Sequence, residues 1–178
     1  MKKLISAIFM LKDVPRIGWV QRGVPLDIAE NVATHTLLVI TFSLLIAEEV
    51  AKKRKIDKEK VLIIALLHDV EESKMNDIPK FLKEKLNYEN AKKDVLKKIF
   101  EDLPGDFMDK YLSYLLKDSI ERQIVEAADN LAMLYVARVY KRNYPNVEEI
   151  EKFALRRLEE SPKDLKRVIE KLVQLFSN

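Results

Sequence analysis

Four side chains that can bind a metal ion stand where the sequence pattern predicts a buried helix face or the end of one. They are His35, His68, Asp69 and Asp129. Two imidazoles and two carboxylates suit a divalent first-row metal that keeps open positions for water or substrate. The two carboxylates leave a dication nearly neutral, and its residual Lewis acidity can polarise a phosphoryl oxygen or lower the pKa of a bound water.

His35 and Asp129 are each predicted to point into a core. His35 shares one helix face with Val32 and Val39, which lie three and four positions away. Taken alone, this pattern favours a core histidine with one hydrogen-bond partner. Asp129 lies beside Ala132 on another apolar helix face, where small side chains leave room for a ligand. Taken alone, Asp129 could equally bond to the end of a neighbouring helix.

His68 comes with two acids. It follows the apolar run VLIIALL of residues 61–67, and Asp69 follows it at once. An unpaired buried carboxylate is costly, so Asp69 needs a cation or hydrogen-bond donors. Glu72 lies one helical turn after His68 on the same face. This clustering favours a site over the alternative, a helix end with ordinary solvated acids.

Composition excludes many other chemistries. The chain has 178 residues, no cysteine, three scattered glycines and two histidines. Thiolate catalysis, cysteine-based metal sites, glycine-rich phosphate loops and the HExxH motif are therefore absent. The net charge of +3 is small and spread out, which argues against a nucleic acid polymer as partner. Apolar stretches such as Val32–Ile46 look too short to span a membrane, and no signal peptide is evident, so we expect a cytoplasmic protein.

The elements that must position these residues are predicted to be helices within one all-α domain of residues 1–178. Apolar residues at helical spacing predict a series of helices. They cover Lys2–Lys12, Asn31–Arg54, Lys58–Val70, Glu89–Leu103, Asp106–Leu116 and Ile120–Arg142, with two more after N-caps at Asn146 and at Ser161-Pro162. Asp57 and Ser119 are further N-cap candidates, Arg16–Ile28 is predicted to be a loop, and Lys74–Pro79 a break. Residues 61–67 could also form a buried strand, but no partner strand is evident.

Four segments together resemble a known family. They are LKDVPRIGWVQRGV (11–24), ENVATHT (30–36), ALLHDVEESKMNDIPK (65–80) and AADN (127–130). The pattern His…His-Asp…Asp resembles the HD-domain superfamily of metal-dependent phosphohydrolases, and these segments are similar to its 5'-deoxynucleotidase branch. The resemblance covers roughly Leu11 to Ala137. It implies a helical bundle of the HD-domain type that acts as a homodimer.

The resemblance also implies roles for nine residues. His35, His68, Asp69 and Asp129 match the metal ligands, and Glu72 and Asp77 match acids near the attacking water and the leaving oxygen. Arg16 matches a phosphate-binding arginine, Trp19 a tryptophan that crowds the sugar 2' position, and Arg22 is a second candidate for the phosphate. Ile17 and Gly18 separate Arg16 from Trp19, as in the eukaryotic and archaeal form R-x-G-W-V, which leaves the selection of deoxyribose by Trp19 open.

The resulting hypothesis is metal-dependent hydrolysis of a deoxynucleoside 5'-monophosphate to a nucleoside and phosphate. The divalent ion could be Co, Mn, Mg, Ni or Zn, because several ions suit such a ligand set. Hydrolysis of a deoxynucleoside triphosphate or a cyclic nucleotide is an alternative with the same site. A helical module that binds a nucleotide or metal without turnover is another, and a purely structural role for His35 and Asp129 is the last.

Overall fold

The computed structural model describes residues 1–83 and 85–175, and every side chain in those ranges except those at positions 80, 81 and 116. Within these ranges the regular secondary structure is helical, apart from one isolated bridge between Pro15 and Asn31. The α-helices are α1 (Lys2–Met10), α2 (Ile17–Val20), α3 (Val32–Ala51), α4 (Lys58–Leu67), α5 (Glu72–Met75), α6 (Lys80–Lys83), α7 (Tyr88–Phe100), α8 (Gly105–Leu116), α9 (Ile120–Lys141), α10 (Glu148–Glu159) and α11 (Lys163–Leu175). The predicted all-α class is confirmed.

The bundle is centred on α3 and α9, which pack against each other, with α4 against both. Buried side chains such as Ile46, Leu67 and Leu131 join these helices in the main core. Removing one such side chain from water contributes about 1.5–3 kcal/mol. Helix α3 carries His35, α9 carries Asp129, and His68 directly follows the end of α4. Core packing therefore fixes the relative positions of these three side chains.

Side-chain caps define where three of the helices begin. Asn31, Asp57 and Ser119 each accept a hydrogen bond from the backbone N–H three residues further on, at 2.9, 3.0 and 3.2 Å. Such a cap typically stabilises a helix by about 1 kcal/mol. The predicted caps at Asp57 and Ser119 are confirmed, and residues 61–67 lie in α4 rather than in a strand.

Three features differ from the prediction. The short helix α2 lies within the segment predicted to be a loop, α5 extends into the predicted break as far as Met75, and α6 follows the break. Helices of four residues are too short to show periodicity, so the pattern could not reveal them. The predicted N-cap at Asn146 is wrong, because Pro145–Val147 forms a turn of 3₁₀ helix and α10 begins at Glu148.

One helix differs from the expectation about membrane-spanning length. α3 has 20 residues and a mean hydropathy of 1.4, so among the described residues it is long and apolar enough to cross a membrane. It extends beyond the Val32–Ile46 stretch through Glu48 and Glu49. Core helices of soluble proteins pass the same test, and α3 packs against α4, α9 and α11. Its composition fits the central helix of a bundle.

Candidate metal centre and active site

Three predicted ligands converge where α3, α4 and α9 meet. His35, His68 and Asp129 each offer one ligand atom, and these atoms lie within 4.8 Å of one another. Ligand atoms bound to one ion at about 2.1 Å each are separated by up to about 4 Å. His35 is fully buried and the other two are partly buried. Small side-chain adjustments would therefore let the three hold a single divalent ion.

The His68 ring is oriented for metal binding. Its Nδ1 lies 2.8 Å from the Ala65 carbonyl oxygen, which can only accept, so Nδ1 carries the proton. Its Nε2 is buried and has no hydrogen-bond partner among the described residues. An Asp69 carboxylate oxygen lies 3.1 Å from that nitrogen. A cation placed next to both atoms would be bound by the nitrogen of His68 and the carboxylate of Asp69, so these residues fit a metal ion.

His35 is held between two carboxylates. Its Nε2 lies 2.9 Å from Oδ1 of Asp129, and its Nδ1 lies 3.6 Å from Oε1 of Glu30. Burial and the charge of Arg16 oppose protonation, but the interactions with Asp129 and Glu30 outweigh them and raise the pKa of His35 to about 9. A metal must displace the proton on Nε2. Metal binding at this site is thus coupled to proton release.

Asp69 lies beside these three ligands and links them to Arg16. The Arg16 guanidinium donates to Oδ2 of Asp69 at 3.2 Å, and both side chains are largely buried. Burial opposes ionisation, yet the His68 ring and Arg16 hold the pKa of Asp69 well below its ordinary value. The structure therefore brings the predicted fourth ligand to His68, although it does not place Asp69 within the group of three.

Glu72 stands on the first turn of α5 and is fully buried. One carboxylate oxygen accepts a hydrogen bond from Lys83 at 3.1 Å, and the other has no partner among the described residues. Burial, together with the charge of Asp69, raises the pKa of Glu72 from 4.5 to about 8, although Arg16 and Lys83 oppose this shift. A carboxylate with a pKa near the working pH suits a general base.

Asp77 fastens the segment that carries Arg16. Its Oδ2 accepts the backbone N–H of Ile17, the first residue of α2, at 2.7 Å. Asn76, which precedes Asp77 and ends α5, has a φ of 60° and a ψ of 171°, a conformation found mainly in glycine. The charge of Asp77 also lies near Arg16. Burial lowers the pKa of Arg16, but the charges of Asp69, Asp77 and other acids outweigh burial and raise it.

Trp19 and Arg22 contact groups other than the three clustered ligands. The Trp19 ring is 2% exposed, packs edge-on against Tyr140, and donates its Nε1–H to Glu30 at 2.9 Å. Little of the ring is therefore open to a sugar in this conformation. Arg22 donates to the Gly18 carbonyl at 3.1 Å and pairs with Glu149 at 3.2 Å. Of the two arginines, the structure brings Arg16 to the acids of the site.

Sequence reasoning missed several charged residues of the site. Glu71 is fully buried, forms an ion pair with Lys92 and accepts a hydrogen bond from Tyr88 at 3.1 Å. Lys92 also donates to the His68 carbonyl at 2.9 Å, which fixes the backbone beside the ligand. Nothing marks Lys92 or Lys83 among the other lysines of the sequence. Glu30 was visible only as the first residue of ENVATHT.

A small cavity opens beside the ligands His68 and Asp129. Its volume is about 100 Å³, and its walls combine apolar and charged side chains. They come from Ile64, His68, Lys92, Leu115, Arg122, Val125, Glu126 and Asp129. A polar ligand that reaches the metal site from this side would meet the cations Lys92 and Arg122.

Comparison with known proteins shows the family of the chain. The family model described as HD domain matches residues 8–172. The chain belongs to the HD-domain family. This HD domain is 25% identical over 158 residues to the 5'-deoxynucleotidase YGK1 of Saccharomyces cerevisiae, covering 84% of this chain and 70% of that protein. It is 31% identical over 138 residues to the 4'-phosphooxetanocin A phosphatase of Priestia megaterium, covering 74% and 69%.

A solved structure shares the whole fold of this HD domain. A conserved hypothetical protein from Pyrococcus furiosus superposes with a TM-score of 0.82 at 34% sequence identity, covering 98% of this chain and 99% of that one. The resemblance seen in the sequence is therefore confirmed at the level of the family.

The raised pKa of Glu72 predicts a pH-dependent stability of the metal-free HD domain. The folded state keeps this proton up to about pH 8, whereas the unfolded state releases it near pH 4.5. The stabilisation is complete below pH 4.5 and is lost as the pH rises through 8, at up to about 1.4 kcal/mol per pH unit. Glu72→Gln lacks this loss, so its stability relative to the wild type should increase by a few kcal/mol between pH 5 and pH 8.

Urea denaturation of chelated protein at a series of pH values measures this difference. Glu48→Gln is the matched control, because Glu48 is an exposed glutamate on α3. If the stabilities of the wild type and Glu72→Gln change in parallel with pH, burial does not raise the pKa of Glu72 and the interpretation is wrong.

Proposed function

We propose that this HD-domain protein is a metal-dependent phosphohydrolase that releases phosphate from deoxynucleoside 5'-monophosphates. One observation carries the proposal: the clustered ligand atoms of His35, His68 and Asp129 lie next to a buried arginine and a buried glutamate of raised pKa. The printed names of the relatives, 5'-deoxynucleotidase and 4'-phosphooxetanocin A phosphatase, support phosphate release from nucleotide-like compounds.

His35, His68 and Asp129, together with Asp69, are proposed to hold the divalent ion. When bound, the ion supplies a Lewis acid for a phosphoryl oxygen and lowers the pKa of a water. The unpartnered Nε2 of His68 and the adjacent Asp69 oxygen are the observations that support this assignment. Co, Mn, Mg, Ni and Zn remain candidates, because imidazole and carboxylate ligands accept each of them.

Arg16 is proposed to bind the phosphate. Its guanidinium lies in a pocket of acids, with Asp69 at 3.2 Å and Asp77 nearby. These acids keep it charged and oriented, and its fixed fork of donors matches two phosphate oxygens. Binding a dianionic phosphate there also offsets the cost of holding an arginine away from water.

Glu72 is proposed to accept the proton of the attacking water. Its unpartnered oxygen is available to orient a water, while Lys83 holds the other oxygen. A base of this kind contributes roughly 10²–10⁴-fold to the rate. Asp77 is proposed to serve the leaving oxygen, with its second carboxylate oxygen, because Oδ2 is bonded to Ile17.

Phosphate release is expected to depend on an added divalent ion. Chelated protein should release no orthophosphate from deoxynucleoside monophosphates, and one or more of Co, Mn, Mg, Ni and Zn should restore release. Glu72→Gln should lower kcat by about 10²–10⁴-fold, because the general base is lost. A colorimetric phosphate assay measures both effects, and ribonucleotides run alongside test whether the protein selects deoxyribose.

Several outcomes would contradict the proposal. Tripolyphosphate from a deoxynucleoside triphosphate would favour the triphosphohydrolase alternative. Nucleotide binding without turnover for any ion would favour a binding module. Equal activity of Asp69→Ala and the wild type would remove Asp69 from the ligand set.

Arg16 and Arg22 can be separated by matched substitutions. Arg16→Ala should lower kcat/KM by about 10–100-fold, because a hydrogen bond to a charged group contributes about 1.5–3 kcal/mol. Arg16→Lys should recover part of this loss, since the charge remains but the fork is lost. Arg22→Ala removes a hydrogen bond to the Gly18 carbonyl and a pair with an exposed glutamate, neither of which involves the candidate metal ligands, so kcat/KM should change by less than about twofold. The reverse order of effects would make Arg22 the phosphate ligand.

The protein is also proposed to be a homodimer that pairs through α9. Tyr135 and Val139 lie one turn apart on this helix and are 40% and 51% exposed, so they form an apolar strip that a second subunit would cover. Light scattering should give twice the chain mass of 20.8 kDa. Val139→Glu should yield a monomer, whereas Ile5→Glu, on the exposed face of α1, should not. A monomeric wild type would contradict the proposal.

A further inference from the structure

Glu30 is a buried carboxylate that the proposed mechanism does not use. It lies directly before the N-cap of α3 and is 6% exposed. One oxygen, Oε2, accepts the Nε1–H of Trp19 at 2.9 Å. The other, Oε1, faces Nδ1 of His35 at 3.6 Å, and neither of these two atoms has a hydrogen-bond partner among the described residues. Glu30 therefore stands between an indole and a candidate metal ligand.

Both neighbours of this carboxylate are donors when a metal is bound. The Trp19 nitrogen can only donate. His35 presents Nε2 to the cluster, beside Asp129, so a neutral ring bound to metal through Nε2 carries its proton on Nδ1. The residue between two donors must offer two acceptors. A carboxylate does so, whereas an amide offers one acceptor and one donor group.

The backbone of Glu30 is fixed as firmly as its side chain. Its carbonyl accepts the N–H of Arg16 at 2.8 Å, and its own N–H donates to the Tyr140 hydroxyl at 2.9 Å. The backbone that carries the carboxylate is thus anchored to the segment of Arg16 on one side and to α9 on the other. Rotation of the side chain away from His35 would break its hydrogen bond with Trp19.

We propose that Glu30 is a positioning residue that holds the Nδ1–H of His35 and so presents Nε2 to the metal. The inference rests on the proposed metal site. Carboxylates that accept the second N–H of a metal-bound histidine orient the ring, and their loss typically weakens metal affinity by 10–100-fold. Trp19, in turn, holds Glu30 rather than contacting the metal.

Titration calorimetry of chelated, untagged protein with Mn²⁺ tests the proposal. Glu30→Gln should bind Mn²⁺ about 10–100-fold more weakly than the wild type. Glu48→Gln, an exposed glutamate on α3, should bind as the wild type does. Trp19 is the only tryptophan of the chain, so an unchanged emission maximum in Glu30→Gln shows that the indole is still buried and the fold intact.

A double variant supplies the sharper test. In Glu30→Gln the amide must face one of two donors with its own donor group. Trp19→Phe removes the indole N–H, so in the double variant W19F/E30Q the amide oxygen can turn to His35. Mn²⁺ affinity should therefore recover most of the loss, to within about threefold of Trp19→Phe alone. A general loss of packing predicts the opposite, a double variant weaker than either single one.

The outcomes separate this inference from the function it rests on. Wild-type protein that binds no Mn²⁺ overturns both the metal site and the role of Glu30. Wild-type binding with equal affinity in Glu30→Gln overturns only the role of Glu30. Weakened binding without recovery in the double variant also overturns it, because the donor conflict is then not the cause.

Discussion

The structure depends on the burial of several carboxylates at one end of a helical bundle. Asp69, Glu72 and Asp129 all lie close enough to Arg16 to raise its pKa, and Glu71 is fully buried. Holding so many acids out of water is costly unless cations or donors face them. The segments that carry no helix pattern, including the residues around Arg16 and Lys83, are placed where they supply that compensation. Charge compensation thus acts on these irregular segments together with the apolar packing of side chains such as Trp19 and Val24.

Partial compensation gives neighbouring acids different properties. His68 and Arg16 keep Asp69 ionised, whereas burial and the charge of Asp69 favour the protonated form of Glu72. Pairs of titratable groups whose surroundings push their pKa values apart are typical of sites that divide acid, base and ligand roles. One arrangement of charges thus lets one carboxylate act as a permanent anion and the other as a proton acceptor.

The sequence was sufficient to predict the long helices and the three candidate ligands that the structure brings together. Periodic apolar residues predicted α3 and α9, and His35 and Asp129 were conspicuous because each interrupts an apolar face. The compensating residues could not be predicted in this way. Lys83 and Lys92 look like the other lysines, and their role depends on the turn at Asn76 and on the packing of α7, which are properties of the folded chain. Trp19 shows the same limit, because its neighbour Glu30 lies eleven residues away and the bridge at Pro15–Asn31 helps to bring the two segments together.

The hydrogen bond from Ile17 to Asp77 has a consequence for how the site is assembled. It joins residues 60 positions apart, and the bond from Arg16 to the Glu30 carbonyl closes the same segment on its other side. Arg16 therefore lies in a segment whose backbone is held by hydrogen bonds to two other parts of the chain before any ligand binds. Most of the conformational entropy of this segment is lost during folding, so little remains to be lost when an anion binds.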